Sequence, residues 1–365
     1  MKTNAFCRPR LPGGSPPRPQ STAALLLALL LGPLSAGAAW TNVTGGVGGD
    51  KWGYAGVCVV VPVPGSAAMI AGVSEAGLWR TDDRGASWRK LGAGDQQQIR
   101  HRPHQVLFDP ADPRRFWVSG CYDASPFVTA DGGQTLQRLG NLSHMDGIGV
   151  DFTDPRRQTL VVGLHEQARS VHKSTDSGRT WQKIGQALPE DSNHSTDPIV
   201  MDARTFVINT AGWAQNKSWG IYRTENAGVT WTKVSDLGPA DRALVASDGA
   251  VYWGICYGNG LVKSADQGKT WQKLSGPARF CPVQFGPSRI AAVGGQQVYV
   301  SADRGQSWEK LAEPLPFKPN GIAYNAASES LYAWRSTEKK VPDAVLRWDV
   351  RRGKGGQTHP EAVLP

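Results

Sequence analysis

Short runs in which apolar and polar side chains alternate follow one another along the chain from about residue 40 onward, each bounded by turn-forming residues. Residues 106–108, 116–119, 127–129 and 135–139 make one set, with Asp109-Pro110-Ala111-Asp112-Pro113 at its first reversal. Residues 148–151, 159–164, 170–173 and 181–184 repeat it, with Asp154-Pro155-Arg156-Arg157 at the same place. A period of two residues between Pro, Gly and Asp turns predicts half-buried β-strands in groups of four.

The last reversal of each group has its own signature, roughly Ser/Thr-x-Asp-x-Gly-x-Thr/Ser-Trp. Copies begin at Thr81, Thr129, Ser174, Thr224, Ser264 and Ser301. The acidic or amide position falls at Asp83, Asp131, Asp176, Asn226, Asp266 and Asp303, so the intervals are 48, 45, 50, 40 and 37 residues. The hydroxyl and carboxylate can bond the amides of their own hairpin, and Gly supplies the positive φ of the reversal. Trp then opens the outgoing strand, as in Trp271-Gln272-Lys273-Leu274, except in the second copy, where Leu136 takes its place. A period near 45 residues with four strands per repeat predicts an all-β propeller. Strands at 321–324, 330–334 and 344–350 provide three strands of a seventh blade, and no Trp-x-Lys-apolar strand follows Arg352. Trp40-Thr41-Asn42-Val43 carries that pattern, so the N-terminal segment is expected to complete blade seven and close the ring, removing an open edge.

The six boxes resemble the Asp-box, or BNR, repeats of sialidases, sortilin-type receptors, two-propeller xyloglucanases and photosystem II assembly factors of the Ycf48 kind. That resemblance implies the propeller fold over nearly the whole chain after residue 40; it implies hydrolase, receptor or assembly roles without choosing among them. The Arg-Ile-Pro or Arg-Leu-Pro tripeptide that precedes the first box of sialidases does not occur before Thr81. Trp40-Thr41-Asn42-Val43, the following glycine run and Arg80-Thr81-Asp82 are similar to the opening of xyloglucanases, which implies Asp82 as the position of a catalytic acid. With Asp83 holding the turn, Asp82 is expected at the surface.

Residues 1–39 combine Lys2, Arg8, Arg10 and Arg18, an apolar run from 23 to 31 and a small-residue stretch ending in Ala38-Ala39, which reads as a signal peptide. The division expected is residues 1–39 as signal peptide, 40–352 as propeller and 353–365 as C-terminal tail, in a secreted or periplasmic protein without a membrane span. Removing the four cationic residues of the leader takes the formal net charge from +9 to +5. No like-charge block or basic-aromatic stripe accompanies it, so nucleic acid is not an expected partner, and a monomer is expected. Five cysteines become four once Cys7 leaves with the leader; three disulfide pairings are possible, and the blade map favours Cys58 with Cys121 and Cys256 with Cys281 over metal thiolates, since no Cys-x-x-Cys spacing exists.

The boxes and the first-to-second strand turns share one end of such a ring. Function is expected at the other end, where longer connections meet. Five of the seven histidines, His101, His104, His144, His165 and His194, map there, at the entrances of blades two to four. With them come Arg102, Tyr122, Asp123, Asp146, Glu166 and Asp197. Imidazoles exchange protons near neutral pH, so His144, His165, Asp146, Glu166, Tyr122 and Asp123 form the candidate catalytic set. Two chemistries can use it. Hydrolysis of a glycosidic bond needs a carboxylic acid and a second carboxylate, from Asp146, Glu166 and Asp123. Elimination from a uronic acid polymer needs a His or Tyr base with Arg or His against the sugar carboxylate, for which His144, His165, Tyr122 and Arg102 are suited. Substrate binding is assigned to His101, Arg102, His104, Trp52, Tyr54, His194, Asp197, Trp213, Arg242 and Arg279, the aromatic rings being able to stack on pyranose faces. A divalent metal on two or three histidines is a third use, but no His-x-x-x-His spacing supports it, and no cofactor is expected. The expected function is a carbohydrate-active protein that cleaves a polysaccharide or oligosaccharide, with a non-catalytic binding or assembly propeller as the alternative.

Overall fold

The computed structural model describes residues 39–50, 52–92, 99, 101–122, 125–192, 197–210, 217–239, 242–255, 260–276, 280–311 and 313–350. The leader, the C-terminal tail, Asp123, His194, Trp213, Cys256 and Arg279 lie outside the described residues. The described strands form seven antiparallel sheets of four strands each, the seven-bladed propeller expected from the repeats. Blade three, for example, runs Met145–Val150, Leu160–Leu164, Val171–Ser174 and Gln182–Lys183.

The pattern of burial follows from how blades stack. Outer strands such as Gln182–Lys183 and Gln272–Lys273 are exposed. Second strands such as Met69–Val73, Leu160–Leu164 and Ser330–Trp334 are buried at every position, because each sheet packs a neighbour on both faces. Val161 and Val171 of blade three meet Phe206 and Ile208 of blade four, and Val207 and Ile221 of blade four meet Val251 and Trp253 of blade five. The core is therefore a ring of inter-blade layers. A buried ion pair crosses one such layer: Arg157 grips Asp109 through Nε at 3.0 Å and Nη2 at 2.8 Å, tying blade three to blade two.

Each repeated turn is held as its residue types require. Thr81 Oγ1 donates to Asp83 Oδ1 at 2.7 Å and accepts from Gly85 N at 2.8 Å, while Ser87 N donates to Asp83 Oδ1 at 2.8 Å. The same pattern recurs around Asp131, Asp176, Asp266 and Asp303. Asn226 substitutes its amide, accepting from Thr230 N at 2.9 Å and donating to Thr230 Oγ1 at 2.8 Å. Gly is required twice over at Gly228: φ is +89°, and a Cβ would stand 2.6 Å from Ile184 of the preceding blade. Three box tryptophans also bond the preceding blade: Trp88 to Val43 O at 3.0 Å, Trp181 to Leu139 O at 3.4 Å and Trp231 to Ile184 O at 3.0 Å.

Ring closure is as the repeat count demands. Thr41 pairs with Arg347 and Asn42 with Leu346, making the N-terminal segment the outer strand of blade seven. Val43 N continues the ladder to Val345 O at 3.0 Å, and Trp40 Nε1 donates to Glu313 O at 3.0 Å. No helix among the described residues is long and apolar enough to cross a membrane.

Candidate active site at the mouth of the ring

First strands begin, and second strands end, at the ring face opposite the boxes. In blade two the second strand, Asp112–Cys121, delivers Tyr122 to that face, and Arg102 is the register partner of Cys121 on the adjoining first strand. In blade three Met145 pairs with Leu164, which sets His144 across from His165, and His165 N donates to His144 O at 2.7 Å. The ladder shifts register between Met145 and Ile148. A bulge of this kind re-aims a side chain, and here the Asp146 carboxylate turns inward. Gln105 Oε1 accepts from Ile148 N at 2.8 Å beside it, while the Asp146 carbonyl accepts from Ser119 Oγ at 3.0 Å and from His104 Nδ1 at 2.6 Å.

The centre of the site is a buried pair. His165 Nδ1 lies 2.7 Å from Asp146 Oδ1, and the two residues are 7% and 3% exposed. Cys121 Sγ donates to the same Oδ1 at 3.3 Å. His165 Nε2 is enclosed and lies 3.6 Å from Glu166 Oε1, and Glu166 is itself exposed. Three rings close around it: Tyr122 to His144 at 5.4 Å, Tyr122 to His165 at 5.3 Å and His144 to His165 at 5.3 Å between centroids. Tyr122, His144 and Glu166 hold left-handed φ of 57°, 70° and 54°. Such conformations cost free energy in non-glycine residues and cluster where a site over-determines its backbone.

Electrostatics follow from this packing. The hydrogen bond that His165 donates to Asp146, with the charges of Asp146 and Glu166, raises the His165 pKa above the usual imidazole value although burial opposes it. Burial works against ionisation of Asp146, but the His165 bond and the nearby imidazoles outweigh it and hold the carboxyl below its usual range. Burial pushes the Cys121 thiol up, reinforced by Asp146, and pushes Cys58 up to about 11 against the pull of Arg102. Both thiols stay protonated. Cys121 Sγ, an Asp146 oxygen and a His165 nitrogen all lie within 4.8 Å of one another. That donor set suits a divalent transition metal; here the three groups hydrogen-bond one another.

The structure brings together His144, His165, Asp146, Glu166, Tyr122, His104, Arg102 and Tyr54: the Arg102 guanidinium carbon lies 6.0 Å from the Tyr54 ring centroid, and Tyr54 meets Tyr122 edge-on at 6.2 Å. Arg242, from the connection into blade five, reaches the same mouth and donates to His104 O at 3.3 Å. His101 is exposed at the rim, whereas Asp197 is buried in the entrance to blade four. Two expectations are corrected. Trp52 belongs to the core between blades seven and one, with Nε1 donating to Val47 O at 3.3 Å, because its connection folds back under Gly56. Cys58 and Cys121 are free thiols, Cys58 Sγ donating to Gly56 O at 3.3 Å, so the expected bridge between them is not formed. Asp82 is exposed on the box side, paired with Arg80 at 2.7 Å and Arg89 at 3.5 Å. Ser119 and Cys121, which hold the carbonyl and the carboxylate of Asp146, escaped the sequence reading as site residues, since nothing but the bulge directs Asp146 toward them.

No family model matches the chain. Over 161 residues it is 26% identical to a probable oligoxyloglucan-reducing end-specific xyloglucanase of Neosartorya fischeri, covering 40% of this chain and 19% of that protein. A xyloglucanase of a Paenibacillus species is 23% identical over 237 residues, covering 54% of this chain and 23% of that one. The chain thus spans about a fifth of the length of these curated relatives. Among solved structures, the GH74 enzyme of Niastella koreensis superposes with a TM-score of 0.63 at 16% identity, covering 86% of this chain and 54% of the enzyme. YCF48 bound to a D1 peptide superposes at 0.55, also at 16% identity, covering 82% of this chain and 95% of that one. At such identities the structural likeness establishes the propeller fold alone.

Proposed function

We propose that this protein is a carbohydrate-active enzyme that cleaves a glycosidic bond at the mouth of the ring, with His165 as the proton-transfer group. The carrying observation is the buried Asp146–His165 pair at 2.7 Å, whose second imidazole nitrogen lies beside Glu166, Tyr122 and His144. A buried carboxylate fixes the tautomer and orientation of the imidazole and leaves Nε2 to exchange protons with a bound substrate. The xyloglucanase relatives support a polysaccharide substrate. For the chemical step, Asp146 sits behind His165 and does not reach a sugar, so two carboxylates acting directly on the acetal fit poorly. Proton abstraction by His165, assisted by Tyr122 or His144, fits better. A polymeric substrate and the basic-then-apolar leader suit a secreted or periplasmic protein.

The extent of the match to YCF48, nearly the whole of that chain, supports a second reading in which the same mouth holds a peptide segment without turnover. Incubation with a panel of neutral and acidic polysaccharides, recording both new reducing ends and the ultraviolet absorbance of an unsaturated product, separates the readings. Wild type is expected to cleave at least one polymer, with His165→Ala lowering the rate about a hundredfold or more. Absence of both signals on every polymer, or equal rates for the two proteins, would exclude the enzymatic reading.

A further inference from the structure

We propose that the substrate is acidic and that a uronate carboxylate is bound between Arg102 and Arg242, a reading that rests on the glycosidic-bond function and names its substrate class. Arg102 is half-buried at the mouth, and its Nε is enclosed without a hydrogen-bond partner. Its surroundings are the Cys58 and Cys121 thiols and the rings of Tyr54 and Tyr122. Arg242 approaches from blade five, donates to the carbonyl of His104 at 3.3 Å, and stands 5.9 Å from the centroid of Trp334. Neither guanidinium forms an ion pair among the described residues, whereas Arg80, Arg84, Arg157 and Arg223 each have a carboxylate partner. The Arg242 bond to the carbonyl of His104, two residues along the strand from Arg102, brings both guanidinia to one entrance.

A guanidinium withdrawn from water without a counter-ion is unfavourable until an anion completes it. The planar fork matches a carboxylate, and two such forks on opposite sides of the mouth match a carboxylate carried on a sugar ring. Tyr54, 56% exposed beside Arg102, offers that ring an aromatic face. Three acids among the described residues stand near the mouth, Asp146 and Glu166 against His165 and Glu75 folded over Gly53, and none of them is paired with Arg102 or Arg242.

Neutralising the carboxylate also makes the adjoining C5–H acidic. His165 Nε2 takes that proton as the C4=C5 double bond forms and the C4–O bond to the departing sugar breaks. The departing oxygen receives a proton from Tyr122, and no water is consumed. Catalytic turnover then requires Tyr122 to regain a proton and His165 to lose one.

Calorimetric titration with tetrasaccharides of galacturonate, mannuronate and glucuronate repeats, each beside its carboxyl-reduced counterpart, tests the assignment on the wild-type chain. At least one acidic oligosaccharide is expected to bind about tenfold or more tightly than its reduced form. The preference is expected to weaken with added salt, to vanish in Arg102→Gln and Arg242→Gln, and to return in part in Arg102→Lys. Equal affinity for every acid and its reduced form, no binding of any acid, or a preference that survives both substitutions would overturn it. Cleavage of a neutral polymer without acid preference overturns this assignment and leaves the enzymatic reading standing; acid preference without turnover does the reverse.

Discussion

His165 and Asp146 depend on one another, and the pH response of each carries the sign of the other's charge. The raised imidazole contributes stability that is complete below its unfolded value near 6.5 and is lost as pH climbs through the folded value. The lowered carboxyl contributes stability that is present above its unfolded value near 3.8 and disappears as pH falls through the folded value. Their bond should therefore stabilise the fold most between about pH 4 and 6.5. Asp146→Asn is expected to lower the thermal midpoint chiefly in that window. In the enzyme assay it should also move the limb on which His165 becomes the neutral base to lower pH, together with a reduced plateau; an unshifted limb would separate Asp146 from the titration of His165. That both residues occupy one end of one hairpin was legible from blade spacing. Which of them stands behind the other was not, because a single bulge after Met145 decides it.

At the scale of the element, the repeated turn is nearly self-contained: every hydrogen bond between its hydroxyl, its carboxylate and its amides spans four residues or fewer. That locality is why six copies could be read as hairpins from sequence. It also makes the turns acid-sensitive. Hydrogen bonds from Thr180 and its amide, and from Ser174, draw the Asp176 carboxyl down to about 2, and Asp83, Asp131 and Asp266 are lowered to a similar value. Because these folded values lie below the unfolded ones, their contribution is present above about pH 4 and is lost as pH falls toward 2. Asp176→Ala is expected to cost about 1 kcal/mol in chemical denaturation at neutral pH, and less at pH 2. Asp176→Asn should behave at neutral pH as the natural Asn226 turn does. A loss of equal size at both pH values would remove the carboxylate from the account.

For the whole molecule, closure by residues 40–44 is the contact that turns a row of blades into a ring. Without them the Val345–Asp349 strand would present unpaired backbone groups at a sheet edge. Val43 would also leave the layer shared by blades seven and one, where Gly85 of the first box packs on it. Deletion of residues 39–44 is expected to cost about 3 kcal/mol or more and to induce self-association visible by size-exclusion chromatography. A monomer of unchanged stability would show that closure is dispensable.

Alternation of side chains, turn chemistry and a period near 45 residues are properties of short segments, so the sequence alone determined the blades, their number, the segment that closes them and the end at which the histidines gather. Side-chain direction at that end was settled only by tertiary packing. Trp52 went inward because the first connection folds back under Gly56, and the cysteines of blades one and two remained thiols on either side of Arg102. The arginines from blades two and five met at one mouth because ring closure, a contact between residues about 300 apart, sets every blade entrance around a common axis.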